Sequence, residues 1–275
     1  MRVQLAEVAL EVQVSGEGPT VLLLHGFPDS HTLWRHQVAA LNAAGYRTIA
    51  PDLRGFGASD KPEGIAEHHP GKHVGDLFQL LGHLGVDRFH LVGHDWGSGI
   101  AQGLAGAARE RVLSLSILSV GHMAALEEAG WEQRKLSWYM LLFQHVGLAE
   151  DWLSRNDFAH LREMLAEHPD AAEITERLRE PGALTSALSV YRAGVPAEAL
   201  FGDVPPLPPL PGPVLGLWGT DDRFLTEQSM SGTGKHVEGA WRYERVADAG
   251  HWLPLDQPER VNALLLDFMA GVGAE

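Results

Sequence analysis

The chain reads as an α/β protein, a mostly parallel sheet flanked by helices, with a helical segment inserted before the last strands. Three observations predict this. Short unbroken apolar runs recur at residues 21–24, 48–50, 89–92, 115–118 and 214–218, the pattern of strands buried on both faces. Amphipathic stretches at 32–42, 73–84, 99–107 and 259–269 separate or follow them, and such alternation implies a sheet covered on both sides. Between 118 and 214 the alternation stops.

The elements follow in order. Residues 3–8 and 9–14 alternate with a period near two and predict a half-exposed antiparallel pair. The turn Gly16-Glu17-Gly18-Pro19 leads into the first buried strand, and a last strand is expected near 242–246. Residues 121–191 are helical in character and carry Trp131, Trp138, Tyr139, Trp152 and Tyr191. Residues 204–213 hold six prolines in ten positions; such a run excludes helix and central strand and predicts a stiff extended connector. The expected organisation is a core of residues 1–120 and 212–275 interrupted by a cap of residues 121–211.

Composition narrows the function. With 275 residues, 45% of them apolar, the chain can bury a full core. Its formal charge of −15, without a basic run, argues against nucleic acid and anionic membrane surfaces as partners. There is no cysteine, which excludes disulfides and thiol chemistry. No stretch approaches the roughly eighteen apolar residues of a membrane span, and the N-terminus lacks a signal-peptide core. The expectation is a cytoplasmic protein, with a homodimer left open.

The strongest local signal is Phe89-His90-Leu91-Val92-Gly93-His94-Asp95-Trp96-Gly97-Ser98-Gly99. A buried strand runs into Gly93-His94-Asp95-Trp96-Gly97 and then into a helix of small residues. This is the nucleophile-elbow pattern G-x-S-x-G with aspartate in place of serine. The glycines suit a strained turn with little room for neighbouring side chains. The competing reading is an aspartate that merely caps the helix, a common use of the residue. Ser98 lies past the turn and is a poor nucleophile candidate.

Four motifs, taken together and in this order, resemble those of α/β-hydrolases: His25-Gly26-Phe27-Pro28, Asp52-Leu53-Arg54-Gly55-Phe56-Gly57-Ala58-Ser59, the elbow, and Gly250-His251-Trp252. The aspartate at the elbow, with His-Gly-Phe-Pro upstream, is similar to the epoxide hydrolase family and its haloalkane and fluoroacetate dehalogenase relatives. The resemblance implies an α/β-hydrolase fold with a helical cap. It also implies that Asp95 is the nucleophile and His251, in the loop after the last strand, the base. The other histidines are poorer candidates, with His68, His69 and His73 in polar loop sequence. The histidine's acid partner falls in Gly219-Thr220-Asp221-Asp222; the family pattern favours Asp222, and one residue's slip would exchange it for Asp221. The resemblance puts the oxyanion-hole donors on the N–H groups of Phe27 and Trp96, with His25 propping the loop. Phe27–Pro28 is a candidate for a cis bond.

The nucleophile selects the substrate class. A serine attacking a saturated carbon would form an ether that water does not readily cleave. A carboxylate forms an ester, which water activated by His251 can hydrolyse at the carbonyl of Asp95 itself. An epoxide additionally needs an O–H donor for its opening oxygen. The segments around Tyr139 and Tyr191 resemble those carrying the paired ring-opening tyrosines of epoxide hydrolases, and phenols are protonated at neutral pH. Phe27, Trp96, Trp138, Phe143 and Leu253 are expected to line an apolar substrate pocket. The expected reaction takes a small apolar epoxide and water to a vicinal diol, with no metal or organic cofactor implied. Haloalkane dehalogenases commonly carry asparagine where Phe27 stands, but the indole N–H of Trp138 keeps halide release as the alternative. A non-catalytic ligand-binding protein on the same fold is the rival from another class.

Overall fold

The computed structural model describes residues 1–195 and 208–272. Eight strands form one sheet in the order β1-β2-β4-β3-β5-β6-β7-β8. They are β1 (Arg2–Gln4), β2 (Ala9–Ser15), β3 (Thr20–Leu24), β4 (Arg47–Pro51), β5 (Phe89–His94), β6 (Val112–Leu118), β7 (Val214–Gly219) and β8 (Trp241–Val246). The first two pair antiparallel, and β2 runs antiparallel to β4; all other neighbours are parallel. The expected α/β class and mostly parallel sheet are found. Every residue of β3, β5 and β7 is buried, which is why these strands read as unbroken apolar runs.

Helices α1 (Arg35–Ala43), α2 (Pro70–His83) and α3 (Trp96–Ala107) connect the first parallel strands, and Pro258–Val272 closes the described chain. Helix α2 starts at Pro70, which suits the first helical position because the missing N–H has no intrahelical partner there. Among the described residues, six helices lie between β6 and β7: α4 (Met123–Glu128), α5 (Gly130–Leu136), α6 (Trp138–Gln144), α7 (Leu148–Met164), α8 (Ala171–Leu178) and α9 (Ala183–Gly194). Helix α7 is broken at Arg155–Phe158, where Asn156, Asp157 and Phe158 all take positive φ. No helix among the described residues is long and apolar enough to cross a membrane. The first part of the proline-rich connector, residues 204–207, lies outside the described residues. Beyond it, Leu210 bridges Val237 in parallel and is buried.

Two histidines depart from expectation. His68 and His73 are buried, not surface loop residues. His68 ends a 3-10 turn, Ile65–His68, and its Nε2 lies 2.9 Å from the carbonyl oxygen of Pro62; His73 lies on the inner face of α2.

The parallel strands all point their carboxyl ends the same way, so the loops after β3, β5, β6, β7 and β8 gather on one edge, where open α/β sheets bind ligands. Stability rests on the doubly covered middle of the sheet. Leu91→Ala, at a fully buried position of β5, should cost roughly 2–5 kcal/mol. Ile65→Ala, at a site 41% exposed, should change stability by no more than about 0.5 kcal/mol. Urea unfolding midpoints of the two variants test the contrast.

Candidate active site

Asp95 joins β5 to α3 with φ 52° and ψ −123°, a backbone conformation that costs a non-glycine residue about 1–3 kcal/mol. Close packing enforces the bend. A Cβ on Gly93 would lie 2.3 Å from the carbonyl oxygen of Gly97, one on Gly97 2.1 Å from that of Leu24, and one on Gly26 2.3 Å from Asp95 Oδ1. The carboxylate makes no capping bond to α3. Instead Oδ1 accepts the N–H of Phe27 at 2.7 Å, and Oδ2 stands 3.6 Å from Nε2 of His251. The capping alternative therefore fails. Ser98 is turned away, its hydroxyl donating to the carbonyl of Val120 at 2.6 Å.

The imidazole of His251 is held at both ring and backbone. Its Nδ1 lies 3.0 Å from Oδ2 of Asp222, whose Oδ1 accepts the N–H groups of Phe224 and Leu225 at 2.8 and 3.0 Å. Asp221 is exposed, so Asp222 is the carboxylate that reaches the ring. The carbonyl of His251 receives Ser119 Oγ–H and His94 Nε2–H, each at 2.8 Å. Glycine is required at 219, where a Cβ would press within 2.4 Å of the Gly250 carbonyl oxygen. His25 braces the first loop as expected: its Nε2 accepts the N–H of Leu53 at 2.9 Å. The Phe27–Pro28 bond is cis.

Burial alone would depress the basicity of His251, but the charges and hydrogen bonds of Asp222 and Asp95 outweigh it and push the ring up from 6.5 to about 10. The shift favours the protonated form of a ring that lies between Asp222 and Asp95. Tyr139 and Tyr191 are buried with ring centroids 6.1 Å apart. Burial and the nearby charge of Asp95 raise both phenols well above the ordinary value, so both remain O–H donors throughout the physiological range.

A cleft in two arms passes over Asp95, and both tyrosines line each arm. The larger is apolar, walled by Trp96, Met123, Leu126, Met140 and Leu225. The smaller lies against Phe27, Phe224, His251, Trp252 and Leu165. Three of the expected pocket residues are not in either wall. Trp138 is 52% exposed; it precedes Tyr139 on α6, so when Tyr139 faces inward its neighbour, about 100° round the helix, faces out. Phe143 is fully buried behind the tyrosines, 5.4 Å from Tyr139 and 5.0 Å from Tyr191. Leu253 points into the core with no exposure. Trp96 is in the wall, while its backbone N–H, the second expected oxyanion donor, makes no hydrogen bond to Asp95 in this resting arrangement. Among the described residues, no cluster of three or more His, Asp or Glu side chains is placed to hold a metal.

Sequence reasoning missed two features. Phe224 packs edge-on to His251 at 5.2 Å, and Asp29 binds both His168 and Trp252. The nearest sequence signals were adjacency to Asp222 and to the His-Gly-Phe-Pro motif.

The imidazolium assignment is open to titration. Asp95→Asn should lower the pKa of His251, followed by NMR at its Cε1, by roughly one unit or more. The folded value lies above the unfolded one, so the imidazolium stabilises the fold fully below 6.5 and the contribution disappears as pH rises through about 10.

A family model described as the alpha/beta hydrolase fold matches residues 19–258. The chain is 34% identical over 268 residues to epoxide hydrolase 3 of Xenopus tropicalis, covering 91% of this chain and 71% of that protein. It is 32% identical to the AB hydrolase superfamily protein YfhM of Bacillus subtilis, covering 95% and 94%. The solved structure of a Bacillus megaterium epoxide hydrolase with an inhibitor superposes with a TM-score of 0.87 at 30% identity, over 98% of this chain and all of the other. With the nucleophile-elbow geometry, these matches establish that the chain belongs to the alpha/beta hydrolase fold family, on its epoxide hydrolase branch.

Proposed function

We propose that this protein hydrolyses a small apolar epoxide to a vicinal diol through a covalent ester on Asp95. The observation that carries the reading is one carboxylate with four groups around it: a backbone donor on Oδ1, an imidazole 3.6 Å from Oδ2, and two buried phenols lining the same cleft. Residues 121–211 would act as the cap that supplies the phenols and encloses the substrate, and residues 1–120 and 212–275 as the core that supplies the rest.

In the first step Asp95 Oδ2 attacks an epoxide carbon, the ring C–O bond breaks, and a proton from Tyr139 or Tyr191 passes to the leaving oxygen. The products are a hydroxyalkyl ester and a phenolate. Ester formation removes the negative charge of Asp95, one of the forces that raises His251, and the phenolate is strongly basic in its buried setting. The proton of His251 therefore passes to the phenolate, directly or through water, and the ring becomes a free base. It then takes a proton from the attacking water. The N–H groups of Phe27 and Trp96 would stabilise the tetrahedral oxyanion at the Asp95 carbonyl. Collapse breaks the bond to the alkyl oxygen, which takes the second proton of the added water; the diol leaves, Asp95 is a carboxylate again and His251 stays protonated, so the protons balance over each turnover. Asp222 keeps the ring in the orientation this exchange needs.

Halide release is disfavoured: Trp138, the N–H donor that the sequence offered for it, faces out. Parallel assays with styrene oxide and 1-bromobutane should give diol and no halide. In His251→Gln the first step survives and the second stalls, so the peptide containing Asp95 should gain the mass of one epoxide. An unmodified peptide would sink the ester mechanism. Tyr139→Phe and Tyr191→Phe should each slow ester formation, and the double variant should lose on the order of 10²–10⁴-fold, measured by rapid quench.

A further inference from the structure

We propose that Asp29 is a positioning residue that sets the ester-hydrolysing half of the site, the Phe27 donor and the His251 base, through Trp252 and His168; the inference rests on the ester mechanism above. Asp29 is 3% exposed. Its Oδ2 accepts the indole N–H of Trp252 at 3.1 Å and its Oδ1 lies 3.0 Å from Nε2 of His168. The His168 ring has a defined tautomer, because its Nδ1 accepts the N–H of Asp170 at 2.9 Å. Nε2 therefore carries the proton and donates it to Asp29. The carboxylate is thus buried and bonded by two side-chain donors, and among the described residues no Lys or Arg bonds or pairs with it. A buried charge without a cationic partner is costly, and two directed hydrogen bonds are what hold it.

The three residues belong to three different segments of the cleft. Asp29 lies two positions beyond Phe27, and its own N–H closes the loop by donating to the carbonyl of Gly26 at 2.9 Å. Trp252 follows His251 and stands perpendicular to its ring, with centroids 5.2 Å apart. His168 follows α7, close in sequence to Met164 and Leu165 of the smaller arm. One carboxylate therefore fixes the oxyanion donor, the base and the roof of that arm together. The tyrosines of the first step, on α6 and α9, have no bond to it.

The consequence is selective for the second step. Asparagine at 29 could accept from only one of the two donors and would turn an NH₂ toward the other. In rapid-quench single turnovers with styrene oxide, Asp29→Asn and Trp252→Phe should slow ester hydrolysis on the order of 10- to 100-fold. Ester formation should stay within about threefold of the parent, so the ester on Asp95 accumulates. His168→Gln, whose amide can donate from the place of Nε2, should stay near the parent rate, while His168→Leu should behave like Asp29→Asn. If Asp29→Asn does not fold, Trp252→Phe decides, since it keeps the aromatic packing and removes the N–H. Unchanged hydrolysis in folded Trp252→Phe, equal slowing of both steps, or failure of His168→Gln to outperform His168→Leu would overturn the proposal. His251→Gln serves as the control: if it too forms no ester, the ester mechanism itself is wrong, whereas ester that forms and then hydrolyses normally in the Asp29 and Trp252 variants refutes only the role of Asp29.

Discussion

An imidazole buried between two acidic side chains, Asp222 and Asp95, is the interaction on which the site depends. Removing ionisable groups from water is expensive, and geometry that falls short would not recover the cost. The fold supplies that geometry with short, fixed connections. Asp95 is held at a strained bend by glycines whose Cβ atoms would strike backbone, Asp222 is saturated by two N–H groups of its own loop, and the His251 carbonyl is fastened to β5 and to the loop after β6 through His94 and Ser119. None of the three groups sits on a loop free to drift.

The same arrangement separates two kinds of chemistry within one small volume. The phenols occupy the side of the cleft shared by both arms, while His251, Phe224 and Trp252 form only the smaller one. An apolar substituent placed in the larger arm would bring a strained ring over Asp95 and under the phenols, leaving the imidazole side open for water. Burial thus acts in opposite directions on the two partners. It keeps Tyr139 and Tyr191 protonated, yet fails to keep His251 neutral, because two carboxylates oppose it. On the proposed mechanism, esterifying Asp95 would weaken that opposition, so the base would appear only once there is an ester to hydrolyse.

Much of this was legible in the sequence, for definite reasons. Strands buried on both faces leave runs such as Val21-Leu22-Leu23-Leu24 that need no partner to be recognised, and the elbow is a local pattern fixed by its own glycines, whereas the loops of His251 and Asp222 were legible through their resemblance to α/β-hydrolase motifs. Facing was less legible. Trp138 and Tyr139 are neighbours of similar character, and only the packing of α6 decides that the second turns inward. His68 and His73 read as polar loop residues because the surfaces that bury them come from elsewhere in the chain. Asp29 and His168 are 139 positions apart, and no periodicity links them. Tertiary contacts of that separation leave no trace in either segment alone.

The second carboxylate oxygen of Asp95 also has a fixed partner. In a serine hydrolase the oxyanion hole is available to the substrate's carbonyl, and the enzyme stabilises charge that develops on the substrate. Here the Phe27 N–H is already committed to Asp95 Oδ1 at 2.7 Å, and that oxygen lies so close to Gly26 that even a methyl group could not fit between them. A substrate carbonyl cannot enter the hole without displacing the carboxylate. On the proposed mechanism that oxygen would become the ester carbonyl, and the donor's hydrogen bond would strengthen when water adds there. On that mechanism, aspartate in place of serine at the bend would do two things at once: provide a nucleophile whose product water can cleave, and fill the hole that ordinary ester substrates would require.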